Sequence, residues 1–513
     1  LLFAVIVSPP IVPFFVITLL TIATMIARSS STLTLIVLVS FSTLPNPSSA
    51  FMARIPSAAS RRPQHRPQQE HDGAQTTTQL FALKPPLSME EMLKTNGPTA
   101  TLYDQHVQKT YGRYPLTIEH GRGCKLYTTD GKEYLDFVAG IATCALGHAN
   151  AALNRAVSAQ MASVHHVSNL YLIPAQAGLA TWLTDNSVAD KVFFCNSGAE
   201  ANEAAIKCAR RHAYNRGIAK PVIITAHQSF HGRTLGALSA TGQPKYHKGF
   251  GYDGKMVPGF QYVTYNSVDE LKAAVKEIQE STDGRGLAAI MMEALQGEGG
   301  IIPGDPLFFQ TVRDICDETG AFMICDEVQI GMGRSGKLWG YENLNIAPDI
   351  FTSAKALGGG VPIGAMMARG VAADVFGPGD HASTYGGNPL ACAAGMAVAK
   401  YMSDHDTLGN VVARGQQLSS GLEAMAKQHP TLLGSVRGWG LLKGIEVVAP
   451  DVPPGKIVQA AMDEGLLLVG AGSNVVRFVP PLIVTEAEIE AALAMLEKAV
   501  AKVEASLVVT VEA

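Results

Sequence analysis

Charge is scarce in this chain. Of 513 residues only 16% are Asp, Glu, Lys or Arg, and 40 basic side chains against 44 acidic ones leave a net charge of −4. No basic surplus exists to hold a nucleic-acid backbone, and no acidic run forms a tail. Cysteine is sparse too: Cys124, Cys144, Cys195, Cys208, Cys316, Cys325 and Cys392 include no C-x-x-C couple. That argues against a disulfide framework or a zinc ribbon and for reduced thiols. His227 and His231 are four apart, but in a loop-like stretch with no third ligand, so no metal site is expected. What the chain does have is 47% hydrophobic residues and 50 glycines. This is material for large cores and many strand-to-helix turns, and it excludes disorder over most of the length. The length fits about three structural units at roughly 150 residues each.

The first ninety residues are a different material. Arg28 is the only charged side chain in residues 1–44, and Pro9, Pro10 and Pro13 interrupt the apolar run that would otherwise suggest a membrane span. Read from Met25, the chain shows a short basic start at Arg28, an apolar stretch Thr34–Phe41, and small residues at Ser48-Ser-Ala50. That is a secretory signal ending before Phe51. Beyond it, Arg54, Arg61, Arg62 and Arg66 stand among Ser, Ala, Pro and Gln. The combination resembles bipartite plastid presequences. Residues 1–90 are therefore expected to be a targeting presequence that is removed, addressed to the plastid, with the mitochondrion as the alternative. The mature protein is expected not to be embedded in a membrane.

From about residue 120 onward short β-rich runs alternate with Ala-rich helical stretches, the pattern of an α/β fold. Lys191–Cys195, Pro221–Ala226, Gly286–Glu293, Ala321–Cys325 and Asp349–Ser353 read as buried strands. A helix is expected over Ala201–Tyr214, with Ser197 and Glu200 at the spacing of a capping box. The last 115 or so residues read as a long helical stretch, two further β segments and a final amphipathic helix from Glu486.

Two motifs fail on context. Gly331-Met-Gly333-Arg-Ser-Gly336 has the G-x-G-x-x-G spacing, but the residues after it lack helical periodicity, so it does not open a dinucleotide-binding helix. Lys337 makes it a near miss to a P-loop, yet Leu338 stands where Ser or Thr is needed.

The informative set is an acid, an amide and a lysine. Asp326 and Gln329 leave the end of one strand, and Lys355 follows in Thr352-Ser-Ala-Lys-Ala-Leu-Gly-Gly-Gly360, flanked by small residues. A lysine desolvated in such a pocket has a lowered pKa and can form a Schiff base. A carboxylate beside a pyridine nitrogen keeps that nitrogen protonated, which makes pyridoxal 5′-phosphate an electron sink.

The blocks Tyr134-Leu-Asp-Phe-Val-Ala-Gly-Ile141, Asn196-Ser-Gly-Ala-Glu-Ala-Asn-Glu203, Ser229-Phe-His-Gly-Arg233, Gln296-Gly-Glu-Gly-Gly300, Asp326-Glu-Val-Gln329, Lys355 and Ser383-Thr-Tyr-Gly-Gly-Asn-Pro389 resemble, in combination, the class III pyridoxal-phosphate aminotransferases of fold type I. The resemblance runs from about Tyr111 to about Leu496. It implies a large domain, residues 161–395, with a mixed, mostly parallel sheet flanked by helices. A smaller α+β domain would be built from residues 91–160 and 396–513. It implies Lys355 as the cofactor-binding lysine and proton carrier, Asp326 on the pyridinium nitrogen, Gln329 on the ring hydroxyl and Phe230 against the ring face. Ser197, Gly198 and Ala199 would hold the phosphate, completed by Thr384 from the partner of a homodimer with shared sites. Arg233 would clamp a substrate carboxylate, assisted by Ser383, while Glu298 and Arg477 would form a gate. The glutamate masks the arginine for an ω-amino donor and releases it for 2-oxoglutarate. Within the family, Tyr111-Gly-Arg-Tyr-Pro115 and Asp136-Phe-Val-Ala-Gly-Ile-Ala142 resemble the members acting on N-acetylornithine in arginine synthesis. Ornithine-acting members carry an aromatic residue near the position of Ile141. Donors such as ornithine, succinylornithine or 4-aminobutyrate are the alternative. Two departures stand out: Glu293-Ala294 where the family has Glu-Pro, and extra length around Tyr246–Phe260.

Overall fold

The computed structural model describes Ser88, Met92 and residues 96–511, and the presequence assigned to residues 1–90 lies almost wholly outside the described residues. At the centre is a seven-stranded sheet. Its strands are β1 (Lys191–Cys195), β2 (Lys220–Ala226), β3 (Phe260–Val263), β4 (Arg285–Glu293), β5 (Phe322–Asp326), β6 (Ile350–Ser353) and β7 (Gly364–Ala368). The order is β1-β7-β6-β5-β4-β2-β3. Six strands run parallel and β7 runs against both neighbours. This is the mixed α/β sheet expected. All five residues of β5, and seven of the nine in β4, are buried, as strands covered on both faces must be. Apolar runs such as Leu287–Met292 and Phe322–Cys325 follow from that double cover. β7 had no sequence signal: Gly364-Ala-Met-Met-Ala368 has no β-branched residue and no alternation, and only its place between β1 and β6 makes it a strand.

Helix α1 (Gly198–Asn215) leaves β1 through a tight turn and packs on β6, β7 and β4. It is longer than the expected Ala201–Tyr214. Ser197 is its N-cap, accepting the Glu200 N–H at 3.2 Å. The reciprocal half of the box is displaced: the Glu200 carboxylate takes the Asn196 N–H at 2.6 Å, one residue before the cap. The turn is tight enough that a Cβ on Gly198 would sit 2.6 Å from a methyl of Val328.

An early and a late segment of the described chain meet. Ile118–Arg122, Lys125–Thr128 and Glu133–Asp136 form a small sheet whose last strand pairs in parallel with Leu466–Leu467. A second four-stranded sheet holds Leu433–Trp439, Leu442–Val447, Val475–Phe478 and Val469–Ala471. The expected breaks at 160/161 and 395/396 both fall inside continuous helices, Ala151–Ser163 and Pro389–Asp404. These two helices pack on each other. The long helical stretch instead breaks at Asp406, which caps helix Thr407–Gln428.

One local feature contradicts its sequence. Val138-Ala-Gly-Ile-Ala142 has helix-like composition, yet Ala139, Gly140, Ile141 and Ala142 all have φ between 48° and 64°. A run of left-handed residues is unfavourable for L-amino acids. Asp136 holds it: one carboxylate oxygen accepts both the Val138 and Ala139 N–H groups at 2.9 Å.

Candidate active site

A cavity of about 410 Å³ opens at the C-terminal ends of β1, β5 and β6. Crevices beyond the carboxyl ends of strands are where α/β sheets bind ligands. Ser197, Gly198, Ala199, Phe230, Arg233, Glu298, Asp326, Gln329 and Lys355 all border it, although they come from five separate stretches of chain.

Asp326, 4% exposed at the end of β5, is fixed on all sides. Its Oδ2 accepts the Asn202 amide and faces His231 Nδ1, each at 2.8 Å, and its Oδ1 accepts the Val328 N–H at 3.0 Å. Asn202 in turn donates to the His231 carbonyl and accepts the Thr352 hydroxyl. Asn202, His231 and Thr352 are buried, and none of them was read as a support of Asp326. Asn202 and His231 lay within quoted motifs, but nothing in the sequence tied them to an aspartate about a hundred residues away. With two partners on Oδ2 and one on Oδ1, the carboxylate keeps acceptor capacity on Oδ1 for a protonated ring nitrogen.

Lys355 sits directly after β6 with φ of 45°, a strained conformation of the kind stored at functional sites. Burial lowers its pKa first and Arg477 lowers it further; Glu298, Asp326 and Glu293 oppose them, and the amine is left at about 8. Glu293, another residue missed, accepts the Phe230 and Gly297 N–H groups. Burial and then Asp326 push its carboxyl well above the usual range. Ala294, where the family has proline, accepts hydrogen bonds from Tyr265 and the Gly304 N–H, and Tyr265 also bonds the Glu293 carbonyl. The turn is held without the ring.

Arg477 does not border the cavity, but lies behind it, 1% exposed, in an ion pair with Glu298. Its Nη1 also donates to Gln329 Oε1 at 3.1 Å. Burial raises the Glu298 pKa most, but the charge and hydrogen bond of Arg477, with Lys355 and Gln329, together outweigh it and leave the carboxyl below its ordinary value. Gln329 is thus tied to the expected gate, a link the sequence did not show. Arg233 is exposed and lies over the Tyr246 ring at 3.9 Å and the Phe230 ring at 5.4 Å. Tyr246 opens the extra stretch noted in the sequence. Among the described residues Arg233 has no carboxylate partner.

Three expected residues fall elsewhere. Ser383 and Thr384 border a different cavity, beside Asn196, Glu200 and His381. Ile141 is 40% exposed and borders neither cavity, whereas Thr143 borders the Lys355 site. The Gly331–Gly336 stretch is a run of turns, not a helix opening. Arg334 within it is fully buried and donates to the carbonyls of Leu441 and Pro480, which makes it a brace under the second four-stranded sheet.

The residues present fit a pyridoxal phosphate. A capped helix start with free first-turn N–H groups suits a phosphate. An aromatic ring, an anchored carboxylate and a lysine with a lowered pKa border the same space.

The family model for "Aminotransferase class-III" matches residues 106–500. The chain is 59% identical to an acetylornithine aminotransferase of a Nostoc species over 79% of this chain and 93% of that protein. An acetylornithine aminotransferase of a Synechocystis species is 56% identical over 78% and 92%. Among solved structures, the ornithine aminotransferase of Toxoplasma gondii matches with a TM-score of 0.76 at 29% identity, over 81% of this chain and 97% of that one. The N-acetylornithine aminotransferase of Stenotrophomonas maltophilia matches at 0.67 and 33%, over 79% and 99%. An acid, a lysine and a capped helix start around one cavity, in a chain matched along most of its length, leave no ambiguity of family: the protein belongs to the class-III aminotransferases, which work with pyridoxal phosphate.

Proposed function

We propose that the protein transfers the δ-amino group of N-acetylornithine to 2-oxoglutarate, giving N-acetylglutamate 5-semialdehyde and glutamate, a step of arginine synthesis. The observation that carries the donor is the extent of likeness to the Nostoc acetylornithine enzyme, well above the identity to the ornithine aminotransferase. Ile141 carries less of it than the sequence suggested, because it borders neither the Lys355 cavity nor the one beside Thr384. Free ornithine is the second reading, favoured by the higher TM-score of the Toxoplasma enzyme.

Bound pyridoxal phosphate supplies an electron sink for the charge left on a substrate carbon when its proton is removed. The chain's own residues do the rest. Lys355 would hold the cofactor through Nζ, and when free of it the amine, with its pKa at about 8, could take and return the substrate proton near neutral pH. Asp326, oriented by Asn202 and His231, keeps a proton on the ring nitrogen. Gln329 serves the ring hydroxyl, Phe230 covers the ring face, and Ser197, Gly198 and Ala199 hold the phosphate. Arg233, with no carboxylate partner among the described residues, takes the donor carboxylate in a bidentate fork. Glu298 neutralises Arg477 while the donor is bound and yields it to the α-carboxylate of 2-oxoglutarate.

A homodimer with shared sites accounts for Ser383 and Thr384, which border a cavity apart from Lys355 of their own chain. Leu170, Tyr171 and Leu172 are 83%, 68% and 100% exposed, a concentration of apolar surface that marks an interface. Asn169 bonds the carbonyls of Ser383 and Gly386, so the same face carries both. Residues 1–90 are a plastid presequence in this reading, which the cyanobacterial source of the relatives supports.

The test follows the loss of cofactor absorbance in the holoenzyme on adding N-acetylornithine, ornithine and 4-aminobutyrate separately. Conversion fastest with N-acetylornithine is expected. Faster conversion with free ornithine replaces the donor and leaves the amino-transfer chemistry standing.

A further inference from the structure

We propose that Tyr246 is a positioning residue for the donor carboxylate: its ring holds the Arg233 guanidinium in place beside the Lys355 cavity, so that the carboxylate meets a fork already set.

Arg233 needs such a device. It is exposed, borders the cavity and has no carboxylate partner among the described residues. A long side chain left free in water surrenders rotamer freedom when it closes on a ligand, and that loss weakens binding. What restrains Arg233 here is aromatic. Its Cζ lies 3.9 Å from the centre of the Tyr246 ring and 5.4 Å from that of Phe230, both within reach of a cation–π attraction. The two rings meet edge to face, 6.1 Å apart at 83°, so the guanidinium has a differently oriented ring on each of two sides. Phe230 already serves the cofactor face in the proposed reaction. Tyr246 is the nearer of the two, and nothing in that reaction uses it.

Tyr246 is itself held against the segment that carries Arg233. It stands in the short helix Pro244–His247. Its N–H closes on the Gln243 carbonyl at 2.9 Å. The Gln243 amide in turn donates to the carbonyls of Gln228 and Ser229 at 3.1 and 3.2 Å, just before Phe230 and Arg233. On the other side His247 Nε2 meets the Leu238 and Thr241 carbonyls at 2.9 and 2.7 Å. The ring therefore has a fixed base, which a restraint on a mobile arginine requires.

The chemistry favours a carboxylate. A ring against the guanidinium carbon spares the N–H donors, which lie in the guanidinium plane and form the fork. Lys245 Nζ lies 4.8 Å from the centre of the same ring and also has no carboxylate partner among the described residues. Two positive charges without a counter-charge thus meet at one ring beside the cavity, and an incoming anion is drawn to both. The inference rests on the reading of Arg233 as the clamp for the donor carboxylate, and the experiment separates the two.

The donor half-reaction of the holoenzyme with N-acetylornithine is followed by stopped-flow absorbance, which yields an apparent Kd and a limiting rate. Tyr246→Leu is expected to raise the Kd about three- to five-fold, the size of an exposed cation–π contact, with limiting rate and cofactor absorbance unchanged. Tyr246→Met, which also lacks the ring, repeats the measurement should the leucine variant fail to fold. Tyr246→Phe keeps the ring and is expected to stay within about two-fold of wild type. Arg233→Gln is expected to raise the Kd about ten-fold or more, and Tyr246→Leu added to it is expected to change nothing further. An unchanged Kd in the variants without the ring, a loss in Tyr246→Phe as large as in Tyr246→Leu, or the same loss in the Arg233→Gln background overturns the inference and leaves the clamp standing. A fall in limiting rate with Kd unchanged overturns it as well. An unchanged Kd in Arg233→Gln overturns the clamp itself, and the role of Tyr246 with it.

Discussion

Glu298→Gln isolates the charge that the gate depends on, with little change in shape. In the structure Glu298 Oε1 takes the Arg477 Nη1 donor and lies 3.5 Å from the Gln329 amide. Arg477 is 1% exposed, and its Nε has no hydrogen-bond partner. Glutamine keeps an acceptor at that place but leaves a buried guanidinium without its counter-charge. The loss of one charge-assisted hydrogen bond amounts to about 1.5–3 kcal/mol. If that energy is spent on keeping Arg477 masked while the donor is bound, the donor half-reaction slows by roughly 10- to 150-fold, because the donor carboxylate is drawn to the wrong arginine. The acceptor half-reaction needs Arg477 unmasked and is expected to change by no more than about three-fold. Stopped-flow absorbance separates the two halves, with N-acetylornithine on one form of the holoenzyme and 2-oxoglutarate on the other. Equal slowing of both halves would refute the gate and leave Glu298 as a structural partner of a buried arginine.

Lys355→Ala is expected to abolish turnover and the visible absorbance of the lysine-bound cofactor, while Lys355→Arg retains the charge and still fails; absorbance spectra and steady-state assays check both. Gly198→Ala places a methyl 2.6 Å from Val328, an overpacking that costs about 1–3 kcal/mol; because it shifts the phosphate-holding turn, cofactor Kd by equilibrium dialysis is expected to rise. His429 sits between Glu497 and Glu504 at 2.8 and 2.6 Å, on the side of the terminal helix Glu486–Val511. Its pKa is raised, by Glu497 first and, against burial, by Glu504 as well, so its stabilisation is fully present below pH 6.5 and is lost as pH rises through the raised value. Glu504, lowered by Thr431 and then His429, works in the opposite sense and loses its part as pH falls. For partly exposed pairs the effect is about 0.5–1 kcal/mol, and His429→Gln should flatten Tm between pH 6 and pH 9, as scanning calorimetry would show.

How far the sequence could be read depended on how local each signal was. Asp326, Gln329 and Lys355 stand in short blocks with their own flanking glycines and strands, so their chemistry could be argued before any contact was known. Gly198 and Ala199 came with the N-cap Ser197, again a local signal. The anchoring of Asp326 was different. Asn202 and His231 are 124 and 95 residues away from it, and only the closing of β5 against α1 and the loop after β2 brings them together. Gln329 was read as a cofactor ligand and its attachment to Arg477 was not, because 148 residues separate them. Ile141 shows the reverse failure. Its neighbours have helical propensity, and a carboxylate on Asp136 overrides it.

That override yields the last prediction. Ile141 holds φ of 60° within four consecutive left-handed residues, where an L-side chain costs about 1–2 kcal/mol. Glycine there removes the strain but adds about 0.5–1 kcal/mol of unfolded-chain entropy. Ile141 is 40% exposed, so truncation forfeits only part of the apolar burial of a buried isoleucine, itself about 1.5–3 kcal/mol. These terms nearly cancel, and Ile141→Gly should leave Tm within about 2 °C of wild type, the shift of well under 1 kcal/mol. The same substitution at Ile206, 3% exposed in the middle of α1, combines lost packing with lost helix propensity and should cost about 3 kcal/mol or more. Thermal denaturation of the two variants side by side decides the point. If Ile141→Gly lowers Tm as far as Ile206→Gly does, the turn is not left-handed, and Asp136 does not hold the rim of the site.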